Sequence, residues 1–331
     1  TTDANGYYRF DNLPAGDYVV VVASGNFATA ANPLFGFASS TGAGQEATPN
    51  TNGDSNDNGL DTAVAGAIRS GTVTLGTGDV EPINEADLGP GGQGAVTDAH
   101  GNMTVDFGFY QAYSLGNRVW LDTDNSGTIN GAEVGIANVV VNLLTTAGAT
   151  VDNPNLTGIQ PYTATTDATG YYRFDNLLAG DYIVEIAAAN FTGVNPLSGF
   201  TNSTGAGQEA NPNTDGDSND NGLDTAVAGA IRSDVVSLGA GDVEPINEAD
   251  LAASGQGPTV DARANMTVDF GFFGSYALGN RVWLDTDNSG TINGAETGIA
   301  GVTVRLLDTA GNPVDNPNLT GTQDYTLVTD A

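Results

Sequence analysis

Short apolar runs of strand length recur along the whole chain, separated by turns rich in glycine, asparagine and aspartate. Tyr18–Val22 and Tyr182–Ile186 are dominated by β-branched residues, and Val139–Leu143 and Val302–Leu306 read the same way. In Met103–Phe109, a period of two puts Met103, Val105, Phe107 and Phe109 on one face and Thr104 and Asp106 on the other. No stretch combines a 3.6-residue period with helix caps. With 46 glycines punctuating the pattern, these runs predict an all-β chain built as a sandwich.

The pattern repeats. Gly116–Asp122 (GNRVWLD) returns verbatim at Gly279–Asp285, and Asp122–Glu133 (DTDNSGTINGAE) returns verbatim at Asp285–Glu296. These landmarks predict one complete β-sandwich module over 112–274. Residues 1–111 are then the C-terminal part of a first module, and 275–331 the N-terminal part of a third. The chain begins TTDA and ends VTDA, the same phase of the repeat. Two arrangements follow: a segment of a longer covalent array, or end-to-end assembly in which 275–331 of one molecule combines with 1–111 of the next. Either gives a stalk or filament whose partners are neighbouring copies of itself. Near-verbatim repetition favours length and sameness over one unique pocket, so a structural protein is expected rather than an enzyme.

The repeated loop carries the candidate chemistry. Asp122, Asp124 and Ser126 fall at positions 1, 3 and 5 of a twelve-residue calcium loop. Gly127 makes the turn at 6, Thr128 offers its carbonyl at 7, Ile129 is the apolar residue at 8, and Glu133 closes position 12. Asp285, Asp287, Ser289, Gly290, Thr291 and Glu296 repeat the set. The competing reading is a solvated acidic turn. Because GNRVW reads as strand, the loop is expected on a β-framework, for rigidity rather than switching.

A second candidate is DSNDNGLD, with Asp54, Asn56, Asp57, Asn58 and Asp61 in one copy and Asp217, Asn219, Asp220, Asn221 and Asp224 in the next. It imitates the front of the same loop but lacks the distal glutamate, and an Asx-rich turn is the alternative. A third acidic stretch, Asp79–Asp87 and its copy Asp242–Asp250, reads as a solvated loop, with Glu81, Glu85 and Asp87 able to complete a neighbouring site.

Charge sharpens this picture. The chain has 40 acidic and 8 basic residues, the latter all arginine, for a net charge of −32. Such a balance opposes nucleic-acid binding and attraction to anionic membranes, and makes divalent cations the natural partners. No apolar run is long enough to insert in a membrane. There is no cysteine or lysine and only one histidine, His100, without a counterpart in the next copy, so zinc and Cys- or Lys-based nucleophilic chemistry lack their groups. The glycine-rich GAGQEA (Gly42–Ala47) and GPGGQG (Gly89–Gly94) lack a phosphate-binding lysine and read as loops. Tyr7, Tyr8 and Phe10 beside Arg9 suggest either a sugar-stacking face or, more commonly, half-buried strand aromatics.

Tyr113–Leu144, Thr166–Ile186, the DSNDNGLD loop and Asn265–Phe272 arrive in an order that resembles the B repeats of the SdrD type, a branch of the Cna-B-like sandwiches of Gram-positive surface adhesins and large bacterial exoproteins. The resemblance implies tandem antiparallel β-sandwich modules with long calcium-binding loops, forming an extracellular rod at or outside the bacterial cell surface. It implies Ca2+ at Asp122, Asp124, Ser126, Thr128, Glu133 and their copies, with a further site at the DSNDNGLD loops. Pilin modules of this kind often carry a Lys–Asn cross-link, which a lysine-free chain cannot form, so calcium would carry more of the stability. The insert Val151–Gly158, repeated at Val314–Gly321, is a candidate lateral contact. An adhesin module that itself holds a host protein or glycan is the alternative function.

Overall fold

A computed structural model describes residues 1–42, 44–51, 55–60, 65–76, 82, 85, 100–156, 158–214, 218–223, 227–239, 245, 248, 263–316 and 322–330. The described residues form β-strands joined by turns, with short 3-10 turns such as Ser24–Phe27 and Ala188–Phe191. Among them, no helix is long and apolar enough to cross a membrane. The chain divides into two compact units, Thr1–Phe273 and Gly274–Ala331.

The first unit begins with six short strands: β1 (Gly16–Tyr18), β2 (Val21–Val22), β3 (Phe37–Ser39), β4 (Ile68–Arg69), β5 (Val73–Leu75) and β6 (Phe109–Gln111). They pair antiparallel as β1–β5, β2–β4 and β3–β6. It continues with β7 (Tyr113–Leu121), β8 (Val140–Thr145), β9 (Thr163–Thr165), β10 (Tyr171–Leu177) and β11 (Gly180–Ile186). The last strands are β12 (Phe200–Asn202), β13 (Ile231–Arg232), β14 (Val236–Leu238), β15 (Ala264–Asn265) and β16 (Phe270–Gly274).

Strands β7–β16 make the sandwich. One sheet runs β10-β7-β16-β12 with β15 also on β7, and the other runs β13-β11-β8-β9 with β14 also on β11. The inward residues of both sheets close one core: Leu115 and Val119 from β7, Phe174 from β10, Phe270 and Phe272 from β16, and Val141, Leu143, Val184 and Ile186 from the opposite sheet. The expected runs Val139–Leu143 and Tyr182–Ile186 thus lie on paired strands, β8 and β11, in register from Tyr182–Thr145 to Ile186–Val141. Most pairs are antiparallel, but β16 and β15 both run parallel to β7, which strand alternation alone does not reveal.

The segment Met266–Phe272 departs from simple alternation. Met266, Val268, Phe270 and Phe272 are buried as their period predicts, yet Thr267 and Asp269 on the other face are buried too. A loop covers that face. Asp269 accepts from the Arg118 N–H (2.9 Å), the Asn117 side chain (3.1 Å) and the Ser218 N–H (3.2 Å), so burial there is matched by hydrogen bonds.

Residues 1–111 reuse parts of this design. The Tyr8 hydroxyl donates to Val105 O as the Tyr172 hydroxyl does to Val268 O. Phe10, however, is 64% exposed where its counterpart Phe174 is fully buried. Contacts tie this part to the sandwich: the Tyr110 hydroxyl donates to Asn176 O (2.7 Å), and Arg263 donates to Gly36 O (2.8 Å) while lying over the Phe37 ring. In the second unit, β17 (Thr303–Arg305) pairs antiparallel with β18 (Thr326–Val328).

Candidate metal centre

Strand β7 delivers Asp122 to the edge of the core, where its backbone N–H donates to Phe272 O and its side chain is wholly buried. Asp122 Oδ1 accepts from the Ser126 N–H (3.0 Å), and Oδ2 from the Gly127 N–H (2.9 Å) and the Ser203 hydroxyl (2.7 Å). This curls the following residues back over the aspartate. Asn125 and Gly127 take positive φ values of 55° and 78° to complete the turn. A Cβ at Gly127 would lie 2.6 Å from Gln208 N, so glycine is required by both conformation and space.

The rest of the loop turns oxygens inward. The Asn130 amide donates to Asp124 Oδ2 (3.2 Å) and Ser126 Oγ (2.9 Å), and the Ser126 hydroxyl donates to Thr128 O (3.1 Å). Glu133 returns to the start of the loop, accepting from the Thr123 N–H (2.6 Å) and the Asn130 N–H (3.1 Å). Carboxylate oxygens of Asp122, Asp124 and Glu133 consequently lie within 4.8 Å of one another. The Ser126 hydroxyl and the Asn130 amide hold the Asp124 carboxyl below its ordinary range, which favours the ionised form a cation needs.

The second unit repeats the arrangement. Asp285 accepts from the Ser289 and Gly290 N–H groups, and oxygens of Asp285, Asp287 and Glu296 meet the same 4.8 Å limit. Ser289 donates to Thr291 O, and the Asp287 carboxyl is held low by the Ser289 hydroxyl and the Asn293 amide. Both clusters offer only oxygens. That donor set suits a hard divalent cation such as Ca2+, which takes about six to eight oxygen ligands.

In the first unit the DSNDNGLD loop is zipped to the Asp122 loop. Ile129 N donates to Ser218 O (2.8 Å), Asp220 N to Gly127 O (3.0 Å), and Thr128 and Asn219 form a β-bridge. Asp220 Oδ1 accepts from the Gly222 and Gly271 N–H groups at 3.0 Å. Asn221 accepts from Asp269 N and donates to Glu209 O. Asp57 and Asn58 repeat these roles, Asp57 with the Gly59 and Gly108 N–H groups and Asn58 with Asp106 N and Glu46 O. These side chains staple the loop to the terminal strand, and no carboxylate cluster forms around them among the described residues. Asn56 and Asn219 lie on the same loops, half-buried. Asp54, Asp61, Asp217 and Asp224 lie outside the described residues, as do Glu81, Asp87 and Gly89–Gly94. Glu85 and Glu248 are buried and accept from the Met103 and Met266 N–H groups at 3.4 Å.

Ser203 is the partner of Asp122 that the sequence concealed. It sits far along the chain in an unremarkable TNSTG turn, and only the fold brings its hydroxyl to Asp122. Arg9 pairs with Asp11 rather than presenting a free cation beside Tyr7, Tyr8 and Phe10. Val151, Asp152 and Pro154 of the insert line a crevice of roughly 400 Å³ with Ser40 and Tyr110 of the preceding part of the same chain.

The chain matches the SdrD B-like domain over residues 113–242 and 276–327. It is 30% identical to serine-aspartate repeat-containing protein F of Staphylococcus epidermidis over 318 residues, 95% of this chain and 14% of that protein. Protein I of Staphylococcus saprophyticus is 35% identical over 248 residues, 72% of this chain and 11% of the relative. Protein D of Staphylococcus aureus is 30% identical over 314 residues, 93% and 16% respectively. The chain therefore spans less than a fifth of the length of these relatives. The minor pilin GBS52 of Streptococcus agalactiae aligns at 17% identity over 41% of this chain and 58% of the pilin, with a TM-score of 0.19, which carries no argument. The matched segments cover more than half of the chain and hold both complete copies of the loop, and on that ground the chain belongs to the SdrD B-like domain family.

Proposed function

We propose that this chain is a non-enzymatic structural segment of an extracellular bacterial protein, in which β-sandwich modules stabilised by calcium stack end to end into a stalk or filament on or outside the cell. One observation carries the reading: two separate loops gather Asp122, Asp124 and Glu133, and Asp285, Asp287 and Glu296, into equivalent all-oxygen clusters. A bound calcium would supply positive charge and a demand for oxygen ligands at each cluster. Asp122 orients the loop from inside the sandwich, Asp124 is kept ionised by its neighbours, Ser126 and the Thr128 carbonyl add neutral oxygens, and Glu133 closes the far side. Binding to the folded loop alone would add about 2.7 kcal/mol per site at a hundredfold excess over Kd. Because the Asp122 loop is zipped to the DSNDNGLD loop, stiffening one stiffens the other. Family membership and the repeat organisation support the structural role.

Calorimetric titration of the intact chain with calcium tests this reading. Saturable heat is expected, diminished in Glu133→Gln and lost in the Glu133→Gln, Glu296→Gln double variant. No saturable heat with the unsubstituted chain would overturn the metal assignment.

A further inference from the structure

Six Asn-Gly pairs occur in the sequence, at Asn5, Asn52, Asn58, Asn130, Asn221 and Asn293. We propose that Asn130 and Asn293 are sites of spontaneous deamidation, and that the fold protects Asn58 and Asn221. In this reaction the backbone nitrogen of the following residue attacks the asparagine Cγ. A C–N bond forms, the nitrogen loses its proton and the side-chain amide leaves as ammonia. Water then opens the cyclic imide at either carbonyl, giving aspartate or, with the chain rerouted through the side chain, isoaspartate. No oxidant or reductant is consumed. Attack requires that the next nitrogen swing onto Cγ, which a following glycine permits because it has no Cβ in the way.

The four sites fall into two environments. Asn130 and Asn293 are exposed, and Gly131 and Gly294 (φ 56° and 53°) have no atom within 4 Å of the place a Cβ would occupy. Asn58 and Asn221 are fully buried with both amide atoms engaged. The attacking nitrogens are engaged as well, Gly59 N on Asp57 Oδ1 and Gly222 N on Asp220 Oδ1. A Cβ on Gly222 would meet Asn202 Oδ1 at 2.5 Å and Ile231 at 3.1 Å, so that backbone has no room to swing. Asn5 is exposed, but its Gly6 nitrogen is bound to Asp3 O, placing it between the two groups. Asn52 lies outside the described residues.

Position matters because the Asn130 amide is the donor that links Asp124 to Ser126. Deamidation replaces that donor with a carboxylate facing Asp124, and the isoaspartyl form also lengthens the backbone between Asp124 and Glu133. The loop therefore carries its own ageing site, whether or not it holds a metal.

The test is site-resolved mass spectrometry of the intact chain after incubation at mildly alkaline pH, beside a sample kept unfolded in urea. In the folded chain Asn130 and Asn293 are expected to convert at least about tenfold faster than Asn58 and Asn221, since the buried pairs react only through local opening. In urea the four rates should converge, and Asn130→Gln should remove the signal at that site alone. Equal rates at Asn130 and Asn221 in the folded chain would overturn the proposal, as would rates that stay unequal in urea. No metal is needed, so failure here is distinct from failure of the calcium reading.

Discussion

Asp122→Ala is expected to destabilise the first unit by about 3 kcal/mol or more, even with chelator present. The carboxylate is fully buried and satisfies three donors, the Ser126 and Gly127 N–H groups and the Ser203 hydroxyl. Each buried donor left without an acceptor loses roughly 1–3 kcal/mol. Because Gly127 also receives Asp220 N, the loss should spread to the second loop. Asp122→Asn keeps an acceptor and should lose less. Asp285→Ala provides the control from an identical local sequence: Asp285 is only half-buried and serves two N–H donors, so about 1 kcal/mol is expected. Urea unfolding followed by tryptophan fluorescence separates the units, because Trp120 reports the first and Trp283 the second. Equal losses for Asp122→Ala and Asp285→Ala would contradict the role given to burial.

Trp120→Ala is expected to lower stability by about 3–5 kcal/mol, the range for truncating a buried aromatic. Trp120 is fully buried on β7, opposite Gly271 on the parallel strand β16. That pairing is tight: a Cβ on Gly271 would lie 2.7 Å from both the indole ring and the Ser203 hydroxyl. Gly271→Ala should therefore cost about 1–3 kcal/mol by overpacking. The two substitutions should couple, the double variant losing less than the sum, because the cavity left by one receives the methyl added by the other. Strict additivity in urea melts would mean that the indole and Gly271 do not share this space.

Much of this was legible from residue order. The apolar runs Val139–Leu143 and Tyr182–Ile186 became neighbouring strands because both keep β-branched or leucine side chains on the buried face. The spacing of Asp122, Asp124 and Glu133 predicted their convergence because a twelve-residue loop turned sharply at Gly127 and closed by Glu133 leaves its acidic groups little choice. Strand direction was not legible, since alternation is the same whether β16 runs parallel or antiparallel to β7. Nor was the zipper between the two loops, which rests on backbone hydrogen bonds that leave no side-chain signature. The DSNDNGLD motif was ambiguous for a chemical reason: a carboxylate or amide oxygen that can bind a cation can equally accept N–H groups. At Asp220 and Asn221 the fold uses them in the second way.

Thermal unfolding of the intact chain in millimolar calcium and in EGTA tests the central claim most directly. With the loops stabilised by about 2.7 kcal/mol per site at a hundredfold excess of calcium, the transition of the first unit should rise by roughly 5–10 °C. That rise should shrink in Glu133→Gln. Coincident melting curves in calcium and chelator would contradict the account.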